Sequence, residues 1–185
     1  MAITRIGGAN AISGSITSSN LPSGSILQVQ STLISTANSQ SISANTDTAI
    51  NNLEVNITPS STSSKIMLLG RFVGEGSDTS SYNNVFFFMR GSTVINSAAA
   101  SGSRNNGMTV QYIGYGAGLD AASTMDGMSM FTIDAAHNST SELTYKIGIN
   151  ISTAATLYIN RTVSNTDNTS HELATSEIIA MEIKG

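Results

Sequence analysis

The sequence predicts an all-β protein, an antiparallel β-sandwich of jelly-roll type with an extended N-terminal arm. From residue 25 onward, apolar and polar residues alternate with a period of two, as in strands with one buried and one solvated face. Runs of Ser, Gly and Asn separate eight or nine such segments, which is typical of sandwiches. No segment has a convincing helical periodicity, and only residues 118–125 could form one helical turn.

Residues 1–24 differ from the rest and are predicted to form the arm. Their apolar side chains are isolated among Gly, Ser, Ala and Asn, at spacings that suit neither a helix nor a paired strand; they are Ile3, Ile6, Ile12, Ile16 and Leu21. Such a segment is either a flexible tail or an arm that lays its isoleucines on another surface. We adopt the arm, and we expect residues 25–185 to form one domain around one core.

The predicted strands follow one another along this domain. Leu27 and Val29 alternate with glutamines, and residues 53–58 repeat the alternation. After a Ser-rich turn at 59–64, the segment 65–74 carries apolar residues on both faces, which predicts a central or doubly covered strand. Six further segments are predicted strands: 84–91, 108–115, 127–134, 143–151, 156–163 and 176–184.

Composition excludes several classes of function. Only 11% of residues are charged, and the 8 Lys and Arg residues are scattered, so we expect no nucleic-acid partner. No stretch approaches the ~20 apolar residues of a membrane span, so we expect no membrane insertion. The first residues lack a secretory signal, and we expect the mature chain to begin at Met1. Zero cysteines exclude disulfides and thiolate chemistry.

The residues suited to catalysis or metal binding form no known motif. His137 and His171 lie in Ser/Asn/Thr-rich segments without a nucleophile elbow, and we interpret them as exposed loop histidines. Asp167, Asn168 and His171 match neither a calcium-loop nor a zinc-site spacing and are interpreted as turn residues. We therefore expect no catalytic residue, no metal and no cofactor.

A group of acidic residues keeps one enzymatic alternative open. Glycoside hydrolysis uses a pair of carboxylates, and one stretch contains Asp120, Asp126, Asp134 and Glu142. The same stretch contains no Trp and only Phe131 to stack on a sugar ring. A polysaccharide-cleaving fibre is therefore a minor alternative.

Three consecutive phenylalanines, Phe86, Phe87 and Phe88, raise the question of what covers a strand on both sides. Alternation places Phe87 with Val85 and Met89 on one face, and Phe86 with Phe88 on the other. An exposed Phe forfeits roughly 1.5–3 kcal/mol of burial free energy. Loops or the arm could supply the second cover, but we predict a subunit interface around a threefold axis.

Five segments resemble a known family: NITPSSTSSKIMLL (56–69), FMRGSTVI (88–95), DAAHNSTSELTYKI (134–147), TLYINRTVSNTDN (156–168) and SEIIAMEIKG (176–185). Together and in this order, they resemble virion surface proteins of tailed phages, especially marine and cyanobacterial ones. Members of that family occur as capsid-associated proteins and as tail-fibre modules. The resemblance implies a jelly-roll sandwich, trimeric assembly and no enzymatic activity, and it supplies no catalytic motif to carry over.

Two roles are then open for a virion protein made in the host cytoplasm. In the first, a homotrimer decorates the capsid as a cement or head-fibre protein, and its arm docks on coat subunits. In the second, it is a short tail fibre or receptor-binding protein whose arm joins the tail and whose loops bind a host-surface glycan or protein. A long fibre would need a coiled coil or a repeated shaft, and the sequence contains neither. We therefore favour decoration.

Overall fold

The computed structural model describes residues 17–77, 83–111 and 123–185, and the described chain is rich in strands with almost no helix. A short 3₁₀ turn, Ser18–Asn20, precedes ten strands. They are β1 (Ile26–Ile34), β2 (Asn38–Ile42), β3 (Thr48–Ile57), β4 (Lys65–Gly76), β5 (Asn84–Arg90), β6 (Thr93–Ile95), β7 (Asp126–Asp134), β8 (Leu143–Ile151), β9 (Ala155–Ile159) and β10 (Ser176–Ile183). The all-β prediction is confirmed.

The strands form two antiparallel sheets. The six-stranded sheet has the order β1-β10-β4-β9-β2, and β7 pairs with the opposite edge of β4. The four-stranded sheet has the order β3-β8-β5-β6. Side chains from both sheets meet in one main hydrophobic core, an arrangement compatible with a β-sandwich.

One edge of β4 is shared by two strands, β10 and then β9. β10 pairs with β4 as far as Arg71, and β9 pairs with it from Gly74. Ser176 fills the fork, because its hydroxyl accepts a hydrogen bond from Val73 N (3.0 Å) and donates one to Asn160 Oδ1 (2.7 Å). Asn160 Nδ2 in turn donates to the carbonyl of Ile34, at 2.9 Å. These two buried side chains join four strands where the backbone ladder divides.

Asparagine marks the ends and irregularities of the strands. Within the described chain, every non-glycine residue with a left-handed backbone is an asparagine: Asn45, Asn52, Asn83, Asn96, Asn138 and Asn160. Asn tolerates this conformation better than most residues. Because Asn160 has a φ of 59°, β9 ends at Ile159, whereas the sequence predicted a strand as far as residue 163.

Several sequence predictions need correction. The predicted strand over 108–115 is wrong for residues 108–111, where Thr109 makes only an isolated bridge to Phe86. Residues 112–115 lie outside the described chain, as does most of the predicted helical turn at 118–125, and residues 123–125 contain no helix. The strands β2 and β6 were not predicted.

All three phenylalanines of β5 are fully buried within the single chain. Phe86 and Phe88 belong to the main core, and the Phe86 ring lies 5.4 Å from that of Phe72. Phe87 belongs to a second, smaller core on the other side of the four-stranded sheet, together with Val85, Met89 and the partly buried Ala49, Val94 and Met108. Part of its cover therefore comes from the segment that follows β6.

A glycine makes room for Phe87. The β5–β8 register places Gly148 directly opposite Phe87, and a Cβ at residue 148 would lie 2.4 Å from the Phe87 ring. The ring therefore occupies the space above a residue without a side chain. The second face of the Phe strand is covered by its own chain, so the premise for placing Phe86, Phe87 and Phe88 at a subunit interface does not hold. A subunit contact on this side of the sheet would involve the covering residues.

Gly148→Ala should destabilise the fold by about 1–3 kcal/mol, because the new Cβ collides with the Phe87 ring. Urea unfolding followed by circular dichroism measures this loss. Gly127→Ala is the matched control, since a Cβ there would meet Val73 at an ordinary 3.5 Å. Equal stability of the two variants would contradict the role given to Gly148.

Candidate functional site

A fully buried carboxylate, Glu182, holds the turn before β4 against β1 and β10. Its oxygens accept hydrogen bonds from Gln28 Nε2 (2.6 Å), Ser60 N and Oγ (both 2.7 Å) and Ser64 Oγ (2.6 Å). Burial alone would raise the pKa of Glu182, but the hydrogen bonds from Gln28, Ser64 and Ser60 outweigh it and hold the pKa below its ordinary value. The carboxylate is therefore a charged structural centre.

A second polar cluster surrounds Asp134 at the end of β7. Arg90 Nη1 lies 2.7 Å from Asp134 Oδ2, and the Tyr145 hydroxyl donates to the same oxygen at 2.8 Å. Burial, reinforced by the hydrogen bond and the charge of Asp134, raises the pKa of Tyr145 far above its ordinary value. Ala136 N donates to the other oxygen, Oδ1. The cluster thus joins β5, β7 and β8 and keeps Tyr145 protonated.

His137 is buried, contrary to the expectation of an exposed loop histidine. Its Nδ1 accepts a hydrogen bond from Ser139 N (3.2 Å), so Nε2 carries the proton and donates to the carbonyl of Ser64 (2.8 Å). The Ser64 hydroxyl donates to Glu182 instead. A serine, a histidine and a carboxylate are therefore neighbours without the hydroxyl-to-imidazole hydrogen bond of a catalytic triad.

Two of the carboxylates considered for glycoside hydrolysis, Asp126 and Asp134, do not form a pair. Asp126 and Asp134 are the two ends of β7, which at the usual rise per residue places them about 25 Å apart. A hydrolytic pair lies roughly 5–9.5 Å apart. Asp120 lies outside the described residues, and within the part that the structure describes, no group of three or more acidic or histidine residues is placed to hold a metal ion.

The segment around Asp167 forms a hydrogen-bonded turn, as predicted. Asn168 Oδ1 accepts from Ser170 N (3.0 Å), and the Asn168 carbonyl accepts from His171 N (3.0 Å). This segment borders a polar cavity of about 300 Å³, lined by residues 162, 164–168 and 171–173.

The largest departure from an ordinary sandwich is the outer face of β1, β10, β4 and β7. The register aligns Val29, Met181, Met67 and Ile133 in one row across the four strands, and Ile179, Leu69 and Phe131 in the next. We define the apolar outer face as the side chains Ile26, Val29, Leu33, Met67, Leu69, Phe131, Ile133, Ile179, Met181 and Ile183. The five most exposed are Phe131 (78%), Ile26 and Leu33 (each 56%), Val29 (52%) and Ile133 (44%).

This face explains why the sequence of β4 is apolar on both sides. Ile66, Leu68 and Phe72 point into the core, whereas Met67 and Leu69 belong to the apolar outer face. β4 is indeed central, as predicted, since strands pair with both of its edges. The outer sides of antiparallel sheets are ordinarily polar, so this four-strand apolar surface is a candidate interaction site.

A groove of about 420 Å³ opens on the apolar outer face beside Phe131. Leu69, Ile179 and Phe131 form its apolar walls, and Arg71 and Glu177 add one charge of each sign. Ser129 and parts of Gly70 and Met130 complete the lining. Sequence reasoning missed this surface, although the run of apolar residues in β10 was its visible signal.

Of the residues predicted to anchor the arm, the structure describes only Leu21; Ile3, Ile6, Ile12 and Ile16 lie outside the described residues. Leu21 is partly buried, and its carbonyl accepts a hydrogen bond from Lys184 Nζ, which also donates to the carbonyl of Ser19. The backbone of Lys184 bonds to Gly24 and Ser25. Residues 19–25 are thereby tied to the end of β10.

The chain was compared with protein-family models and with curated proteins. No family model matches the chain, and no curated protein matches it. The resemblance to phage virion proteins therefore depends on the five sequence segments alone. Within residues 17–77, 83–111 and 123–185, no helix is long and apolar enough to cross a membrane.

The lowered pKa of Glu182 predicts a specific pH dependence of stability. The carboxylate adds stability above its unfolded pKa of about 4.5, and this contribution disappears as the pH falls through the lower folded pKa. Glu182→Gln should lose about 1–3 kcal/mol at pH 7, because it disturbs a buried acceptor of several hydrogen bonds, and should show a flatter decline in acid.

Urea unfolding at several pH values between 2 and 7 measures this effect. Glu142→Gln is the matched control, since Glu142 is exposed and precedes β8 without belonging to a strand. A Glu182→Gln variant with the wild-type pH profile would contradict the structural role of the carboxylate.

Proposed function

We propose that this chain is a non-enzymatic structural protein of a tailed-phage virion, a trimeric capsid decoration protein anchored by its N-terminal arm. The observation that carries the proposal is the apolar outer face. Ten apolar side chains on one side of a sheet favour contact with another protein surface, as in an assembly component. The two antiparallel sheets are compatible with the jelly-roll sandwich that the sequence resemblance implies.

The buried polar groups support a structural role. Glu182, Asp134 and His137 each bond to loop backbone or to neighbouring strands, and each is almost fully enclosed. Such groups stiffen the domain because every bond fixes a connection between strands. A rigid domain suits a protein that must keep its shape on a particle surface.

The connection between the arm and the domain supports anchoring. Lys184 holds residues 19–25 against the end of β10, so the proposed arm would leave the domain from a fixed point.

One observation favours the second candidate, a short tail fibre or receptor-binding protein. The 300 Å³ cavity near Asp167 is lined by Thr, Ser, Asn, Asp, His and Glu side chains, which supply the hydrogen-bonding groups that a glycan requires. Copy number separates the two candidates. Hundreds of subunits spread over the shell indicate decoration, whereas a small multiple of three at the tail indicates a fibre.

Removing residues 1–16 should leave a folded protein that no longer joins particles. The shortened chain keeps the contacts between Lys184 and residues 19–25, but it lacks the predicted anchors Ile3, Ile6, Ile12 and Ile16. Electron microscopy and quantitative protein analysis of purified particles measure incorporation. The matched control is the full-length chain supplied in the same way. Incorporation of the shortened chain at the full-length level would reject the anchoring role of the arm.

A further inference from the structure

We infer that the apolar outer face is the contact between copies of this chain, with Phe131 of one copy in the groove of another. The inference rests on the proposed function only in treating the chain as an assembly component. It identifies a different surface from the Phe86–Phe88 strand, whose side chains are enclosed by their own chain.

The size of the face suits a protein domain as partner. Each of its five most exposed side chains presents on the order of 100 Å² to solvent, and the five partly buried members add to this. The total approaches the roughly 800 Å² that each partner contributes to a standard protein interface. It also exceeds what a short peptide or a small ligand would need to cover.

The face carries both a projecting side chain and a groove. Phe131 is 78% exposed on an ordered strand, and the groove of about 420 Å³ lies beside it on the same side of the sheet. Because the projection and the groove are adjacent, copies can close around an axis with every Phe131 in a neighbour's groove. The trimer implied by the sequence resemblance satisfies this condition.

The charges on the face allow like copies to meet. Arg71 and Glu177 are register partners at the groove, and Lys65 lies at the far end of β4. The face carries few charges and both signs are present, so two facing copies would not repel each other electrostatically. An anionic membrane or a nucleic acid would instead favour a cluster of basic residues, which this face lacks.

Phe131→Ser tests the contact in the purified full-length chain. Wild type should form a defined oligomer in analytical ultracentrifugation, and Phe131→Ser should raise its dissociation constant at least about a hundredfold, as expected for a central aromatic contact. Val110→Ser is the matched control, because Val110 is 71% exposed and lies beside Val85 of the other sheet. It should leave the oligomer unchanged.

A single introduced cysteine gives a second, independent readout, since the chain has none of its own. Ser129 lines the groove and is exposed, so Ser129→Cys should form disulfide-linked pairs under mild oxidation much faster than Val110→Cys. This measurement remains informative if Phe131→Ser proves unstable.

A wild-type chain that stays monomeric at high concentration would overturn the inference. So would an oligomer that Phe131→Ser does not weaken and that Ser129→Cys does not cross-link, or a monomer that binds lipid vesicles through this face. An oligomer that depends on Phe131 but is absent from phage particles would refute the proposed virion role and leave the inference standing.

Discussion

The rest of the structure depends on β4, the twelve-residue strand that pairs with β10, β9 and β7. Its inner side supplies Ile66, Leu68 and Phe72 to the core, and its outer side supplies the middle of the apolar outer face. Gly70 lies between these inner residues, where a Cβ would be 2.6 Å from Ile147 and 3.0 Å from Phe88. A missing side chain in one sheet therefore sets how closely the other can approach, and the two large side chains fill that space.

Polar side chains complete what the backbone ladders leave open. Ser176 and Asn160 occupy the fork between β9 and β10, and Glu182 receives the Ser-rich turn before β4. In both places a buried donor or acceptor would otherwise lack a partner, at a cost of about 1–3 kcal/mol each. The abundance of Ser and Asn in this chain thus has a structural use inside the domain as well as on its surface.

The sequence predicts those elements whose pattern reflects local burial. β8 alternates cleanly and has the predicted bounds, 143–151. β2 (NSQSI) has only Ile42 as an apolar residue, and it is a strand because β9 offers it a partner, which a local pattern does not reveal.

His137 lies in a polar segment yet is buried, since the carbonyl that binds it belongs to Ser64, 73 positions away. The cover of Phe87 likewise depends on Gly148 across the sheet. Long-range pairing, rather than composition, determines these features, and the apolar outer face emerges only when four strands are placed in register.

The proposed contact through the apolar outer face would link folding to mass action. Each copy that joined another would remove apolar area from water, so the free energy of unfolding of the assembly would rise with protein concentration. Under the proposed virion role, freshly made chains at low concentration would have less of this support than chains gathered on a particle. The resistance of the protein to heat or denaturant would then be a property of the assembled state, and the isolated domain would show only its lower limit.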